Sequence, residues 1–433
     1  MRATLVAAVI LLMAGAGQIR ADGAPSRPKP KPESPKEAPK EAPKEAPKEQ
    51  PKKSPEESAV RITAALEWLR DHQNFAGHWS ANQFGDDSIR KEARKTYNLD
   101  FGGPGKESAD KGWQALEVGV TSLAVLAFAG AGHDHKGGDF KETLRRAVLS
   151  LRRSQGNDGC IGSKDEDQFV YAHAAATMAL AEVYGLSADN ALKAVVESGV
   201  KFLLEARNPG KAWRYGVKPG DNDTSFTGWA VLALKSAKLA GIEFDTKEAF
   251  AGAASWLDEM TIETKEGYKT GYNTPGGSQA RLRSAQEFEL NPTMEAINVT
   301  LRLFMGDKGW DARHKVIASQ AKAVGECKPA WEADKIDFVY WWWATLAMYQ
   351  LGDKHWESWG PAIEKTLMTY QRGFRVEDKG TTAANLDEYG SWDAVDAWST
   401  AGGRVYATAL NALTLEIVDR AGRTYKRVKT EEK

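Results

Sequence analysis

Two kinds of helical pattern alternate along the chain. One is amphipathic and reads as an outer helix; the other is apolar on nearly every side, as in Thr224 to Leu239, whose core is Trp229-Ala-Val-Leu-Ala-Leu234. That core is echoed by Leu123-Ala-Val-Leu-Ala-Phe128, Trp343-Ala-Thr-Leu-Ala-Met348 and, more loosely, Tyr406-Ala-Thr-Ala-Leu410. A helix apolar all round is buried between other helices. Pairing each outer segment with the inner one that follows predicts six hairpins. They are Ala59 to His72 with Glu117 to Ala131, Lys141 to Ser154 with Val170 to Tyr184, and Asn190 to Ala206 with Thr224 to Leu239. The remaining three are Lys247 to Met260 with Pro292 to Met305, Ala312 to Val324 with Asp337 to Gln350, and Pro361 to Tyr370 with Arg404 to Asp419.

Inner segments tend to end in glycine, at Gly132, Gly185, Gly241, Gly306 and Gly352, where a helix end turns left-handed. Hairpins that cannot bury their apolar face alone must stack, and six can close into a ring. The expected fold is therefore all-α, an α/α toroid of about six helical hairpins over residues 58–421. Inner helices at about 10 Å spacing leave a lumen only ~10 Å wide, for one slender ligand or a plug of Trp and Tyr.

The flanks differ in kind. Residues 1–21 read as a secretory signal, with Arg2, an apolar run from Leu5 to Gly17, and Ile19-Arg20-Ala21 as cleavage site. Residues 22–57 form a Pro/Lys/Glu/Ala spacer too polar to bury a core, and 422–433 a charged tail. The expectation is an exported protein, periplasmic, of the cell envelope or extracellular, soluble after signal cleavage. With 58 Lys+Arg against 59 Asp+Glu, no basic excess points to nucleic acid. Cys160 and Cys327 fall in hairpins on opposite sides of the ring, beyond the ~7 Å a disulfide allows between alpha carbons.

The outer-helix ends carry a second repeat: Trp68-Leu69-x3-Gln73-x3-Gly77-x-Trp79, then Leu151-x3-Gln155-x3-Gly159-x-Ile161, then a degraded Phe202-Leu203-x3-Arg207 with Gly210 and Trp213. This resembles the Gln–Trp repeat of squalene–hopene cyclases and protein-prenyltransferase beta subunits, toroids of inner and outer helices. Asp337 through Trp359 to Gly402-Gly-Arg-Val-Tyr-Ala-Thr-Ala-Leu410 looks like secreted bacterial prenyltransferase and squalene oxidase repeat proteins. The resemblance implies structural roles for these residues, Gln closing the helix end and Trp packing over the next unit.

The family's chemistry carries over poorly. Its cyclases protonate an alkene with an Asp-x-Asp-Asp acid, and Asp221-Asn222-Asp223-Thr224 lacks one carboxylate in either alignment. Asp223 and Asp221 stay the catalytic candidates, with Asp223 as a plain helix cap the competing reading. Prenyltransferase zinc ligands have only Asp158, Cys160 and His173 as counterparts, at the wrong positions, so no metal and no cofactor are expected. A turn containing His133, Asp134 and His135 reads as solvated.

A rival class uses the toroid on carbohydrate. Asp334, Asp337, Tyr340, Trp341 and Trp342, with Arg404 and Tyr406, could line such a groove. In a ring all six inner helices start at one rim, so their positive ends converge there. That mouth, edged by His173, Asp223, Glu295 or Asn298, Asp337 and Arg404, with Trp229 further in, is where a polar ligand group is expected. The functional expectation is a non-catalytic binding or scaffold protein of the envelope. The alternatives are an isoprenoid cyclase or transferase and a polysaccharide lyase or hydrolase. The corresponding partners are an apolar small molecule, a glycan or an envelope protein.

Overall fold

A computed structural model describes residues 55–90, 110–166, 169–277, 288–306 and 309–417. The signal, most of the spacer and the charged tail lie outside the described residues. Six outer helices, α1 (Pro55–Asp71), α4 (Lys141–Arg153), α6 (Asn190–Ala206), α8 (Lys247–Met260), α10 (Lys315–Glu326) and α12 (Asp353–Tyr370), alternate with six inner ones. The inner helices are α3 (Glu117–Gly130), α5 (Phe169–Ser187), α7 (Thr224–Leu239), α9 (Thr293–Met305), α11 (Phe338–Leu351) and α13 (Ser399–Leu415). A single turn, α2 (Phe84–Asp87), follows α1, and an antiparallel hairpin, β1 (Thr261–Thr264) with β2 (Gly267–Thr270), follows α8.

Each inner helix packs on the next, and α13 returns to α3, so the chain is an α/α toroid. The pairing differs from the sequence expectation. Each outer helix packs chiefly on the inner helix before it: α4 on α3, α6 on α5, α10 on α9 and α12 on α11, with α1 on α13 across the seam. Connection length is the reason. Only Ala188 and Asp189 separate α5 from α6, and only Gly352 separates α11 from α12, whereas outer-to-inner links are long, as from Asp71 to Glu117. A short link forces antiparallel neighbours; a long one lets the next helix take a new place.

Two boundaries were misread. Helix α12 starts at Asp353 and runs through Pro361, because Trp359 in its first half donates Nε1–H to Thr345 Oγ1 of α11 at 2.9 Å and is fully buried. Packing there outweighs the proline. Helix α13 starts at Ser399 and breaks at Gly403, whose φ is 66°. The break frees Ala401 O and Arg404 N, which pair with Trp113 N (2.7 Å) and Asp110 O (2.9 Å).

The repeat residues exchange the roles the resemblance implied. Trp79 and Trp213 donate indole N–H back to Leu69 O (2.7 Å) and Leu203 O (2.8 Å), closing their own helix ends. The glutamine amides bridge units: Gln73 Nε2 donates to Gly77 O and to Thr143 O of α4, and Gln155 Nε2 to Gly159 O and Val195 O of α6. Arg207 does the same work through Lys211 O and an ion pair with Glu248 of α8. A further copy went unseen: Gln371 Nε2 donates to Gly390 O (2.7 Å) and to Arg61 O of α1 (2.9 Å), which closes the ring. Its Gly-x-Trp partner, Gly390-Ser-Trp392, is displaced by an insertion. Gly390 sits at φ 95°, and a Cβ there would lie 2.2 Å from Ala64 O of α1.

Gln371→Ala should therefore cost roughly 2 kcal/mol, the worth of two buried hydrogen bonds whose acceptors stay behind. Chemical melts should show it, with faster amide exchange in α1; an unchanged midpoint would mean the seam is held elsewhere.

Candidate functional site

The long outer-to-inner links gather on one rim and bond to one another: Thr224 N to Tyr272 O (2.8 Å), Ala397 N to Ile336 O (3.3 Å), Trp113 N to Ala401 O. Three groups of polar side chains occur there.

The first surrounds Asp223. It caps α7, Oδ1 accepting from Phe226 N at 2.7 Å, while Oδ2 is buried with no partner. Burial pushes its carboxyl up to about 7. Beside it the Tyr215 and Tyr272 hydroxyls bond each other, and Tyr171 OH meets Ser225 Oγ at 3.1 Å. The Arg214 guanidinium lies 5.3 Å from the Tyr215 ring centroid and pairs with Asp221 at 2.8 Å. Asp221 is thus an outer partner of Arg214, and Asp223 is the buried acid. On the neighbouring helix, Glu295 accepts from Thr270 N at 3.3 Å, its Oε2 is buried without a partner, and burial raises its carboxyl.

The second group caps α11. Asp337 accepts from Tyr340 N (2.9 Å), Trp398 Nε1 (3.0 Å) and Asn291 Nδ2 (2.9 Å). Asp396, not foreseen from sequence, accepts from Phe338 N and Tyr406 OH, both at 2.9 Å, and from Ser399 Oγ and Trp398 N. Burial and Asp337 push Asp396 up to about 7, while these donors pull the other way. Asp337 and Tyr406 are therefore brought together, through Asp396.

The third is a buried ion network. Arg404 pairs with Asp110 (2.8 Å) and Asp393 (2.7 Å) and donates to Ser391 Oγ (2.8 Å). Arg375 reaches Asp393 at 2.7 Å, and Arg372 pairs with Asp378 at 2.8 Å. Burial alone would raise Asp393, yet Arg404, Arg375 and Arg372 hold its carboxyl down at about 2. Glu388, beside this network, has a buried oxygen without a partner and is pushed by burial up to about 7. Asp378, Glu388, Asp393 and Asp396 all belong to the insertion between Gln371 and α13. Its displaced Gly-x-Trp pair was the signal that marked it.

Other candidates face elsewhere. His173 accepts from Ile161 N at Nδ1 (3.0 Å) and meets Gly199 O of α6 at Nε2 (3.1 Å), so it staples α5 to the outer layer; burial pushes its imidazole down to about 4. Tyr340 donates to Val324 O and Cys327 O at the end of α10, and Asn298 donates to Gln320 of α10. None of the three edges the mouth. Trp342 is buried in the core. Trp229 of α7 meets Trp343 of α11 edge-on at 6.0 Å, past the intervening α9, which places the pair in the lumen. His133 packs edge-on against Phe140, and His135 bonds Asp189 at 2.7 Å. Cys160 and Cys327 are not joined in a disulfide, and among the described residues no cluster of three or more His, Cys, Asp or Glu is placed to hold a metal. Clefts of about 420 Å³ by Arg61, Tyr370 and Phe374, and about 470 Å³ by Val200, Leu204 and Phe244, open against outer helices.

No protein-family model matches the chain, and no curated protein matches it in sequence. Solved structures do match in fold. An inactive variant of an alpha-1,6-mannanase from a Salegentibacter species, in complex with alpha-1,6-mannotriose, aligns with TM-score 0.52 at 10% identity, over 83% of this chain and 98% of that one. Type II terpene cyclase MstE from Scytonema aligns with TM-score 0.50 at 13% identity, over 84% and 99%. A novel alpha-amylase from Clostridium perfringens aligns with TM-score 0.50 at 13% identity, over 82% and 97%. At these identities the likeness is one of fold, and the toroid that the Gln–Trp repeat implied is borne out.

Proposed function

We propose that the chain is an exported helical toroid that serves as a binding scaffold of the cell envelope rather than as a catalyst. The observation that carries this reading is the use the ring makes of its own reactive side chains. His173, Tyr340, Asp337, Tyr406 and Arg404 each hold one element to the next. Trp229 and Trp343 meet edge-on from inner helices on either side of α9, and Trp342 is buried rather than offered to a sugar. The signal and Pro-rich spacer read from sequence supply export and reach.

One observation favours a second reading. Asp223 is a buried acid with an unpartnered oxygen beside the phenols of Tyr171, Tyr215 and Tyr272, an arrangement suited to giving a proton to an isoprenoid ligand at the mouth.

Native mass spectrometry of the protein from its own cells, with extraction of whatever is released, separates the two. An empty protein whose Asp223→Asn variant folds normally supports the scaffold. A stoichiometric apolar molecule, processed by the wild type and about 10²–10⁴-fold more slowly by Asp223→Asn, would overturn it.

A further inference from the structure

Two inner helices start from the same kind of cap, and the two caps are not equally served. Asp337 Oδ1 accepts from Tyr340 N and from Trp398 Nε1, and its Oδ2 accepts from Asn291 Nδ2, so the links that reach it bring donors. Asp223 Oδ1 accepts from Phe226 N in the same way, but its fully buried Oδ2 receives nothing. The groups gathered round it are Tyr171 of α5, Arg214 and Tyr215 of the link before α7, and Tyr272 of the link after β2. Tyr215 and Tyr272 spend their hydroxyls on each other, and Tyr171 bonds Ser225.

A positive charge is missing there as well. Buried carboxylates persist where a cation or several donors meet them. Arg214 is the cation of the cluster, 5.3 and 5.9 Å from the Tyr215 and Tyr272 ring centroids, but it makes its ion pair at 2.8 Å with the more exposed Asp221. With both acids ionised, Asp221, Asp223 and Arg214 leave one negative charge, and the phenol ring faces favour a cation too. The helix start, which would repel a cation, is already met by Asp223 Oδ1. A neutral hydroxyl would satisfy only the hydrogen bond; an ammonium group satisfies both needs. Beside the cluster the lumen wall is apolar and partly open: Tyr171, Trp229 and Leu123, the counterpart of Trp229 on α3, are only partly buried although they stand on inner helices. Trp229 follows Asp223 by about 9 Å along α7 at roughly 1.5 Å per residue. We infer that the mouth beside Asp223 binds the ammonium group of an alkylamine, whose chain lies down the lumen past Trp229 and Leu123. The assignment rests on the binding reading of the toroid and gives it a ligand class.

Isothermal titration of the full chain with n-octylammonium chloride, below its micelle concentration, tests this. Affinity should rise about tenfold per unit from about pH 5 to 6.5 and level off above 7. Asp223, pushed by burial up to about 7, must give up its proton to take the ammonium, while the amine stays charged and the three phenols, raised by burial, stay neutral. Octan-1-ol should bind at least about tenfold more weakly at pH 7.5, without pH dependence. Asp223→Asn, whose amide oxygen keeps the cap, should bind octylammonium about tenfold to a hundredfold more weakly at pH 7.5, with melting no lower than wild type. Absence of binding, equal affinity for octanol, an affinity level across pH, or unaltered binding by Asp223→Asn would each overturn the assignment. The scaffold reading fails on a different result, the processing of an isoprenoid, so the two failures are told apart.

Discussion

Asp393→Asn will lower the stability of the toroid by roughly 3–5 kcal/mol, the cost of removing one partner from a buried charge network. Asp393 receives Arg404, Arg375 and Arg372 in one buried place, with Asp378 and Asp110 as the other carboxylates. An amide there leaves three guanidinium groups facing two carboxylates. The asparagine keeps the shape, so cavity formation plays little part. Asp393 is held at about 2 against an ordinary 3.8, a depressed acid whose stabilisation is present above about pH 4 and lost as pH falls towards 2. Denaturant midpoints at pH 7 and pH 3 measure both points: the variant should be far weaker at pH 7 and differ less at pH 3. Loss should begin in the Gln371-to-α13 insertion, read by amide exchange. A variant within about 0.5 kcal/mol of wild type at pH 7 would show that the network is solvated.

The protein will also be more stable at pH 5 than at pH 8, by about 3 kcal/mol. Asp223 and Glu388 are acids raised to about 7, so between about pH 4 and 7 the folded state holds protons that the unfolded chain has lost. For such groups stability falls as pH rises through the window. Going from pH 7 down to pH 5, each returns about 2.7 kcal/mol at roughly 1.4 kcal/mol per unit. His173 works in the opposite sense: held down to about 4, it costs about 2 kcal/mol between pH 6.5 and 5 because only the unfolded chain takes up the proton. The acids win by the stated margin. Asp396, held at about 7 with its donors already opposing the rise, acts in the same sense, so about 3 kcal/mol is the lower end of the expected margin. Unfolding curves at pH 5.0, 6.5 and 8.0 decide the matter, and Asp223→Asn should raise stability at pH 8 and flatten the slope. Stability that is level or rises from pH 5 to 8 would place both carboxylates in water.

How far the chain could be read in advance varied with the range of the interaction involved. The inner helices were legible because a helix apolar on all sides has only one kind of environment available, and the predicted Thr224 to Leu239 is helix α7 itself. Asp223 as a cap was legible too, since a cap bond spans three residues. The partners of His173, Tyr340 and Arg404 were not legible for the opposite reason: each residue lies near the start of an inner helix, but its partner is Gly199, Cys327 or Asp393 on another element. Asp396 and the fourth copy of the repeat, at Gln371, were hidden by the insertion that separates Gln371 from Gly390.

The sequence by itself determined the six outer and six inner helices of the ring and their sorting into core and wall, because burial of apolar area is additive along a helix and leaves its period in the chain. Only the tertiary structure decided which outer helix leans on which inner one, and which polar side chains meet a partner on another element. Those outcomes depend on the direction in which each side chain leaves its helix and on what the long links bring opposite it. A buried charge is tolerated only where a partner from elsewhere in the chain meets it, and no local pattern records that meeting.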